Sequence, residues 1–197
     1  MSPFFKKTFF ETLKIENGKI LNLYNHNLRL NRTIHEVYGK KSDFNLKKFI
    51  NIPDKQTYRC KVIYDTNLLS FELLPYKPRV FKSFKIINSD IDYAHKSTNR
   101  EELNKLFKLR GDCDDILIIK DGLLTDTSIA NIAIFDGKQW FTPKKPLLLG
   151  TMRAKLLEDK IVVEKDIKVK DIKNIVNFAI INALIGFHKI EDVKFYF

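Results

Sequence analysis

Lys96-Ser97-Thr98-Asn99-Arg100, Leu124-Thr125-Asp126-Thr127-Ser128-Ile129-Ala130-Asn131 and Leu149-Gly150-Thr151-Met152-Arg153 are the runs on which the fold of this 197-residue chain turns. In the first, Thr98 with Glu101 three positions on reads as a capping box. The helix it predicts carries Leu103, Leu106 and Phe107 on one face and stops at Gly111. The second run leads into a strand over 132–135, and the third opens a helix over 151–157. Further strands are predicted over 116–119 and 139–142, with Asp121-Gly122 and Asp136-Gly137 as turns. A lysine therefore stands beside a sheet that carries a carboxylate thirty positions downstream and a glycine-led helix start beyond it.

Working outward toward the N-terminus, residues 9–15 alternate and 20–23 are largely apolar, with Asn17-Gly18 as a hairpin signal between them. Asn25 can cap a helix with Leu30, Ile34, Val37 and Tyr38 at helical spacing, stopped by Gly39. Strands follow over 58–64 and 68–74, joined by Asp65-Thr66-Asn67; Pro75 and Pro78 then interrupt the pattern, and 75–84 reads as a link between domains. Toward the C-terminus come a strand over 161–163, a short helix over 169–175 and a buried strand over 178–181 that ends on Asn182-Ala183-Leu184-Ile185-Gly186. The class is α/β in the α+β sense. Two small domains are expected: residues 1–80 with a mixed sheet and helices, and residues 81–197 with a barrel-like sheet that carries Lys96.

A hydrophobic content of 44% suffices to bury a core and argues against disorder. No apolar run approaches the ~20 residues needed to span a bilayer, and Met1 to Lys7 lacks the order of a signal peptide, so a cytoplasmic protein is expected. Cys60 and Cys113 form neither a C-x-x-C pair nor a zinc-ligand spacing; both read as reduced thiols, with no metal site. The net charge of +11 invites a nucleic-acid reading, but the lysines are spread from Lys6 to Lys194 among acidic and apolar residues rather than clustered. The charge reads as a solvated surface that favours anionic small molecules.

Any single lysine in so basic a chain reads first as surface charge, Asp126 as a solvated turn residue and Gly150-Thr151 as a generic helix start. Taken together they offer more. An amine, a carboxylate and free amides at a helix N-terminus are the groups that pyridoxal phosphate needs: a Schiff-base lysine, a partner for the ring nitrogen and a phosphate cradle. Desolvation between 91–93 and the following helix would lower the pKa of Lys96 toward a useful base. Asn182-Ala183-Leu184 could add a second set of amides, and Arg29 charge-assisted bonds. His26 reads as a structural hydrogen-bonding residue. Arg59 and Lys61 alternate on one strand face, where they are either exposed strand charges or receivers of a substrate carboxylate.

These segments resemble, in order along nearly the whole chain, the class IV aminotransferases, which are fold-type IV enzymes. Phe10-Glu11-Thr12 resembles the family's F-E-T strand and His26-Asn27-Leu28-Arg29-Leu30 its H-x-x-R-L helix. Lys96 to Arg100 is similar to the K-x-x-N-R form of aminodeoxychorismate lyases, and Leu124 to Asn131 to V-T-E-x-x-x-S-N. Thr142-Pro143, Gly150 to Arg153 and Asn182-Ala183-Leu184 resemble the T-P pair, the G-I-T-R helix start and the N-A-L turn.

The resemblance implies Lys96 as the Schiff-base lysine and proton shuttle, Asp126 facing the pyridine nitrogen, and Arg29, Thr151, Met152, Asn182 and Ala183 holding the phosphate. It also implies Thr12 beside the cofactor, the cofactor between the two domains, and a homodimer. The subgroup it favours eliminates pyruvate from 4-amino-4-deoxychorismate, a small anionic amino substrate, to give 4-aminobenzoate for folate biosynthesis. Transamination of branched-chain or D-amino acids is the alternative, and a basic binding protein without this chemistry the rival from another class. Three departures stand out: aspartate where the family has glutamate, Thr151-Met152 in place of I-T, and a short lead-in before Phe10-Glu11-Thr12.

Overall fold

The computed structural model describes residues 7–197, so the Met1 to Lys6 segment considered for a leader sequence lies outside the described residues. The chain forms two compact units.

The first unit holds residues up to Lys77 together with His95–Asn99. Its elements are β1 (Phe9–Glu16), β2 (Lys19–Ile20), α1 (Leu23–Tyr38), a 3-10 turn (Leu46–Lys48), β3 (Tyr58–Tyr64) and β4 (Leu68–Pro75). The sheet order is β2-β1-β3-β4, and every pairing is antiparallel, where the sequence suggested a mixed sheet. Asn17 and Gly18, with φ of 52° and 72°, make the left-handed turn that joins β1 to β2. Phe9, Leu13 and Ile15 point to one face of β1 and pack with Leu30 and Ile34 of α1 and with Cys60, Val62 and Tyr64 of β3. α1 begins earlier than expected, after Asn22 in a left-handed conformation; Asn25 is buried in the first turn and donates from Nδ2 to Asn22 Oδ1. Gly39 ends it at φ 65°, its N–H on the His35 carbonyl.

The second unit holds Pro78–Ala94 and Arg100–Phe197. Its elements are β5 (Ser83–Asn88), α2 (Glu101–Lys108), β6 (Asp115–Lys120), β7 (Leu123–Thr127), β8 (Asn131–Phe135), β9 (Trp140–Pro143), α3 (Thr151–Glu158), β10 (Val163–Lys165), a 3-10 turn (Val169–Asn174), β11 (Asn177–Asn182), β12 (Gly186–Ile190) and β13 (Lys194–Tyr196). The strands run in the order β10-β9-β8-β7-β6-β5-β13, with β11 paired to both β8 and β12. The β5-β6, β5-β13 and β9-β10 pairings are parallel and the others antiparallel, so the mixed sheet lies here. Phe84, Leu117, Ile132, Phe178 and Ile180 are at most 1% exposed and form the centre of its core.

The units part inside the link expected at 75–84, but the segment carrying Lys96 groups with the first unit rather than with everything after residue 80. The cause is a short strand-like pairing with β1. Phe10 N–H donates to the Lys96 carbonyl at 2.9 Å, and Thr98 N–H to the Thr8 carbonyl at 3.0 Å. The Thr98 hydroxyl is likewise engaged, 2.5 Å from that of Thr8, so the expected capping box does not form; Arg100 stands at the N-cap of α2 and makes no side-chain cap bond.

Candidate active site

In the first unit the register of β1 sorts the site residues onto two faces. Ser97 lies opposite Phe9, which places Lys96 opposite Phe10, and Phe10 shares its face with Thr12 two positions on. Across the β1-β3 pairing, Thr12 faces Lys61 and Lys14 faces Arg59. Lys96, Thr12, Lys61 and Arg59 therefore come to one face of one sheet. The Lys96 ammonium sits 4.6 Å from the centre of the Phe10 ring and that of Lys61 5.4 Å from the same centre. A ring face attracts cations, so Phe10 is a platform for two half-buried ammonium groups.

The opposite face of β1 carries Glu11, which is fully buried beneath α1. Arg29 donates to it through Nε at 2.8 Å and Nη2 at 2.6 Å, and His26 Nδ1 lies 2.6 Å from Oε2. Burial alone would raise the Glu11 carboxyl; the Arg29 charge and the bonds from His26 and Arg29 override it and hold the group at about 2. His26 is pushed down by burial against the opposing pull of Glu11, so its neutral ring donates Nδ1–H to the carboxylate. His26 is thus the hydrogen-bonding residue expected, and Arg29 is fixed by a bidentate fork before any ligand is considered. Glu11 was quoted in the sequence motif without a role; a lone glutamate on an apolar face, fifteen positions before a histidine and eighteen before an arginine, was the available signal.

In the second unit Asp126 stands on β7 directly across from Asn131 on β8, and 4% of it is exposed. Asn131 Nδ2 donates to Asp126 Oδ1 at 2.8 Å, and Leu148 N–H to Oδ2 at 2.9 Å. Burial outweighs these donors and the Arg153 charge, raising the carboxyl to about 7. A carboxyl that titrates near neutrality can hold or share a proton with a neighbouring group.

Gly150 precedes α3 with ordinary backbone angles, yet a Cβ there would fall 1.9 Å from Asn131 Oδ1. Close approach, not turn geometry, is what requires glycine. Thr151 is 4% exposed, and the Met152 side chain packs against Ala133, Leu156 and Val162, so the start of α3 offers backbone rather than side chains. Asn182 accepts Leu184 N–H and Ile185 N–H on Oδ1, at 2.9 and 3.0 Å, and so shapes the Ala183 turn between β11 and β12. Asn131 and Arg100 are the residues whose part sequence reading missed: Arg100 donates to Tyr93 Oη and to the Ser128 carbonyl, which pins the turn between Asp126 and Asn131. Arg153, also passed over, donates from Nη2 to the Pro143 carbonyl and to Glu164.

Residues 8–193 match the family described as amino-transferase class IV. The chain belongs to the class IV aminotransferases. A relative from Haemophilus influenzae, of uncharacterised activity, is 42% identical over 183 residues, which cover 90% of this chain and 97% of the relative. Among class IV aminotransferase folds, a putative 4-amino-4-deoxychorismate lyase from Haemophilus somnus superposes with a TM-score of 0.86 at 35% identity, covering 92% of this chain and 98% of that one. The pyridoxal-phosphate-bound form of a hypothetical aminotransferase from Mycobacterium tuberculosis shares the fold at 14% identity, with a TM-score of 0.80 over 96% of this chain and 81% of that one. The chain is an enzyme of this class, and among its described residues no helix is long and apolar enough to cross a membrane.

Proposed function

We propose that this class IV aminotransferase relative is a pyridoxal-phosphate enzyme acting on an anionic amino substrate, with 4-amino-4-deoxychorismate lyase as its reaction. The observation that carries the reading is the placement of Lys96 over Phe10, on the sheet face that also bears Thr12 and Lys61. Likeness to the Haemophilus somnus protein over nearly all of both chains favours the lyase. The residues fit the cofactor: an amine on an aromatic platform, a buried carboxyl near neutrality, and a helix start where only glycine allows close approach.

Pyridoxal phosphate, when bound, supplies a ring that accepts electrons from the carbon next to the reacting amino group. Lys96 would anchor the cofactor and move the proton at the reacting carbon. Asp126 would hold the proton at the ring nitrogen. Arg29, already oriented by Glu11, would meet the phosphate together with amides of Thr151, Met152, Asn182 and Ala183. Thr12 would stand beside the reacting atoms, and Lys61 with Arg59 would receive substrate carboxylates. A homodimer in the cytoplasm belongs to the same proposal.

The test has two parts. Purified protein should bind pyridoxal phosphate and show a visible absorption band that borohydride removes and that Lys96→Ala lacks. It should then release pyruvate and 4-aminobenzoate from aminodeoxychorismate. Rapid amino-group exchange with keto acids and no pyruvate would replace the lyase with a transaminase; no uptake of the cofactor would leave a basic binding protein.

A further inference from the structure

Asp126, Asn131 and Leu148 close a ring of hydrogen bonds within the second unit. Asn131 Nδ2 donates to Asp126 Oδ1 at 2.8 Å and to the Leu148 carbonyl at 2.8 Å, while Leu148 N–H returns to Asp126 Oδ2 at 2.9 Å. The other polar atom of the Asn131 side chain, Oδ1, lies 1.9 Å from where a Cβ on Gly150 would be. One buried side chain, 4% exposed, thus touches the carboxylate of β7 and both ends of the three-residue approach to α3. Neither a shorter nor a purely accepting side chain could make the same contacts, because the two donations come from the two hydrogens of one amide.

We infer that Asn131 is a positioning residue: it sets the orientation of the Asp126 carboxylate and locks to it the Leu148–Gly150 turn, so that the ring-nitrogen partner and the start of α3 form one prearranged piece. The inference rests on the reading of Asp126 as the partner of the cofactor ring nitrogen. It goes beyond that reading in assigning a second residue, and in explaining why the chain needs glycine at position 150. The carboxylate comes from a strand and the helix start lies more than twenty residues downstream, yet neither can shift without disturbing the amide between them.

Two measurements test this. In thermal denaturation of the cofactor-free chain, Gly150→Ala should lower the melting temperature by about 5 °C or more in the wild-type background, and by under ~2 °C when combined with Asn131→Ala, which clears the space. Equal losses in both backgrounds would overturn the lock. For positioning, the affinity for pyridoxal phosphate is compared with that for its 1-deaza analogue, which has carbon in place of the ring nitrogen. Asn131→Ala and the milder Asn131→Ser should reduce the preference for pyridoxal phosphate by ~10-fold or more, as expected for losing a bond to a charged group, while binding of the analogue changes little.

A purely structural role would weaken both ligands alike, and that result would overturn the inference while leaving Asp126 in place. A wild-type chain that binds cofactor and analogue equally would instead overturn the assignment of Asp126, and the inference with it.

Discussion

Lys96 and Phe10 are joined twice: the Phe10 N–H donates to the Lys96 carbonyl at 2.9 Å, and the Lys96 ammonium lies 4.6 Å from the Phe10 ring centre. The backbone bond fixes where the lysine leaves the sheet, and the ring gives its charge a surface to rest on. Replacing Phe10 with leucine keeps an apolar group but removes the ring face. The expected loss is about 1–2 kcal/mol, of which ~0.5–1 kcal/mol should vanish when the change is repeated in a Lys96→Met background. Urea denaturation of the four proteins measures this coupling; none at all would mean that the ring is mere packing.

Glu11 should be among the least replaceable residues outside the chemistry. Glu11→Gln leaves the Arg29 guanidinium, 7% exposed, without its counter-charge. Breaking a buried pair in this way costs about 3–5 kcal/mol. A loss below ~1 kcal/mol in denaturation would show that Arg29 finds another partner.

Opposing titrations shape the pH dependence of the cofactor-free chain. Glu11, held at about 2 against an ordinary 4.5, contributes stability that is full above 4.5 and lost as pH falls through 2. His26, held below 6.5, acts in the same sense, since the unfolded chain takes up its proton first on acidification. Asp126 acts oppositely: raised from 3.8 to about 7, it contributes stability present below 3.8 and lost as pH rises through 7. Asp126→Asn should therefore gain on wild type by a few kcal/mol, in order of magnitude, between pH ~4 and ~8. Denaturation at several pH values reads this, and a pH-independent difference would contradict the raised pKa.

Lengthening this carboxylate toward the family's usual glutamate should not help. Both Asp126 oxygens already have donors, from Asn131 and Leu148, and the residue is only 4% exposed. Asp126→Glu should cost about 1–3 kcal/mol through overpacking and displaced bonds. A stabilised variant would show that the site has room the structure does not display.

Lys61 should act on binding rather than on chemistry. It shares the Phe10 platform with Lys96 and sits across from Thr12. With an anionic substrate, Lys61→Ala should raise KM by roughly 10-fold or more with kcat little altered, whereas Arg59→Ala, one register step farther along the strands, should do less. A selective fall in kcat would move Lys61 into the reacting group.

Much of this was legible in the sequence where the information is local. Asn17-Gly18 marked its hairpin, Gly39 its helix stop, and the apolar runs of β6, β8 and β11 their strands. What failed was non-local. Thr98 followed by Glu101 is a sound capping signal, but the Thr98 hydroxyl is claimed by Thr8, ninety positions away. Lys96 read as part of the second half because its neighbours on both sides are; only the pairing with β1 moves it. β5 was missed where it begins at the end of the proline-marked link and runs beyond it, and β13 is short and, among the described residues, pairs only with β5. The family was readable from residue kinds and order, whereas the contacts of the Asn131 amide follow only from strand register.

The return of His95–Asn99 to the first sheet also has a kinetic meaning. The contact between Thr98 and Thr8 spans ninety positions, so the amine reaches its strand only by closing one of the longest loops in the chain. During synthesis β1 to β4 are made before Lys96 is. The growing chain thus has a stage with Phe10 made and the lysine not yet delivered, and docking of the five-residue strap on β1 is the step that brings the two together.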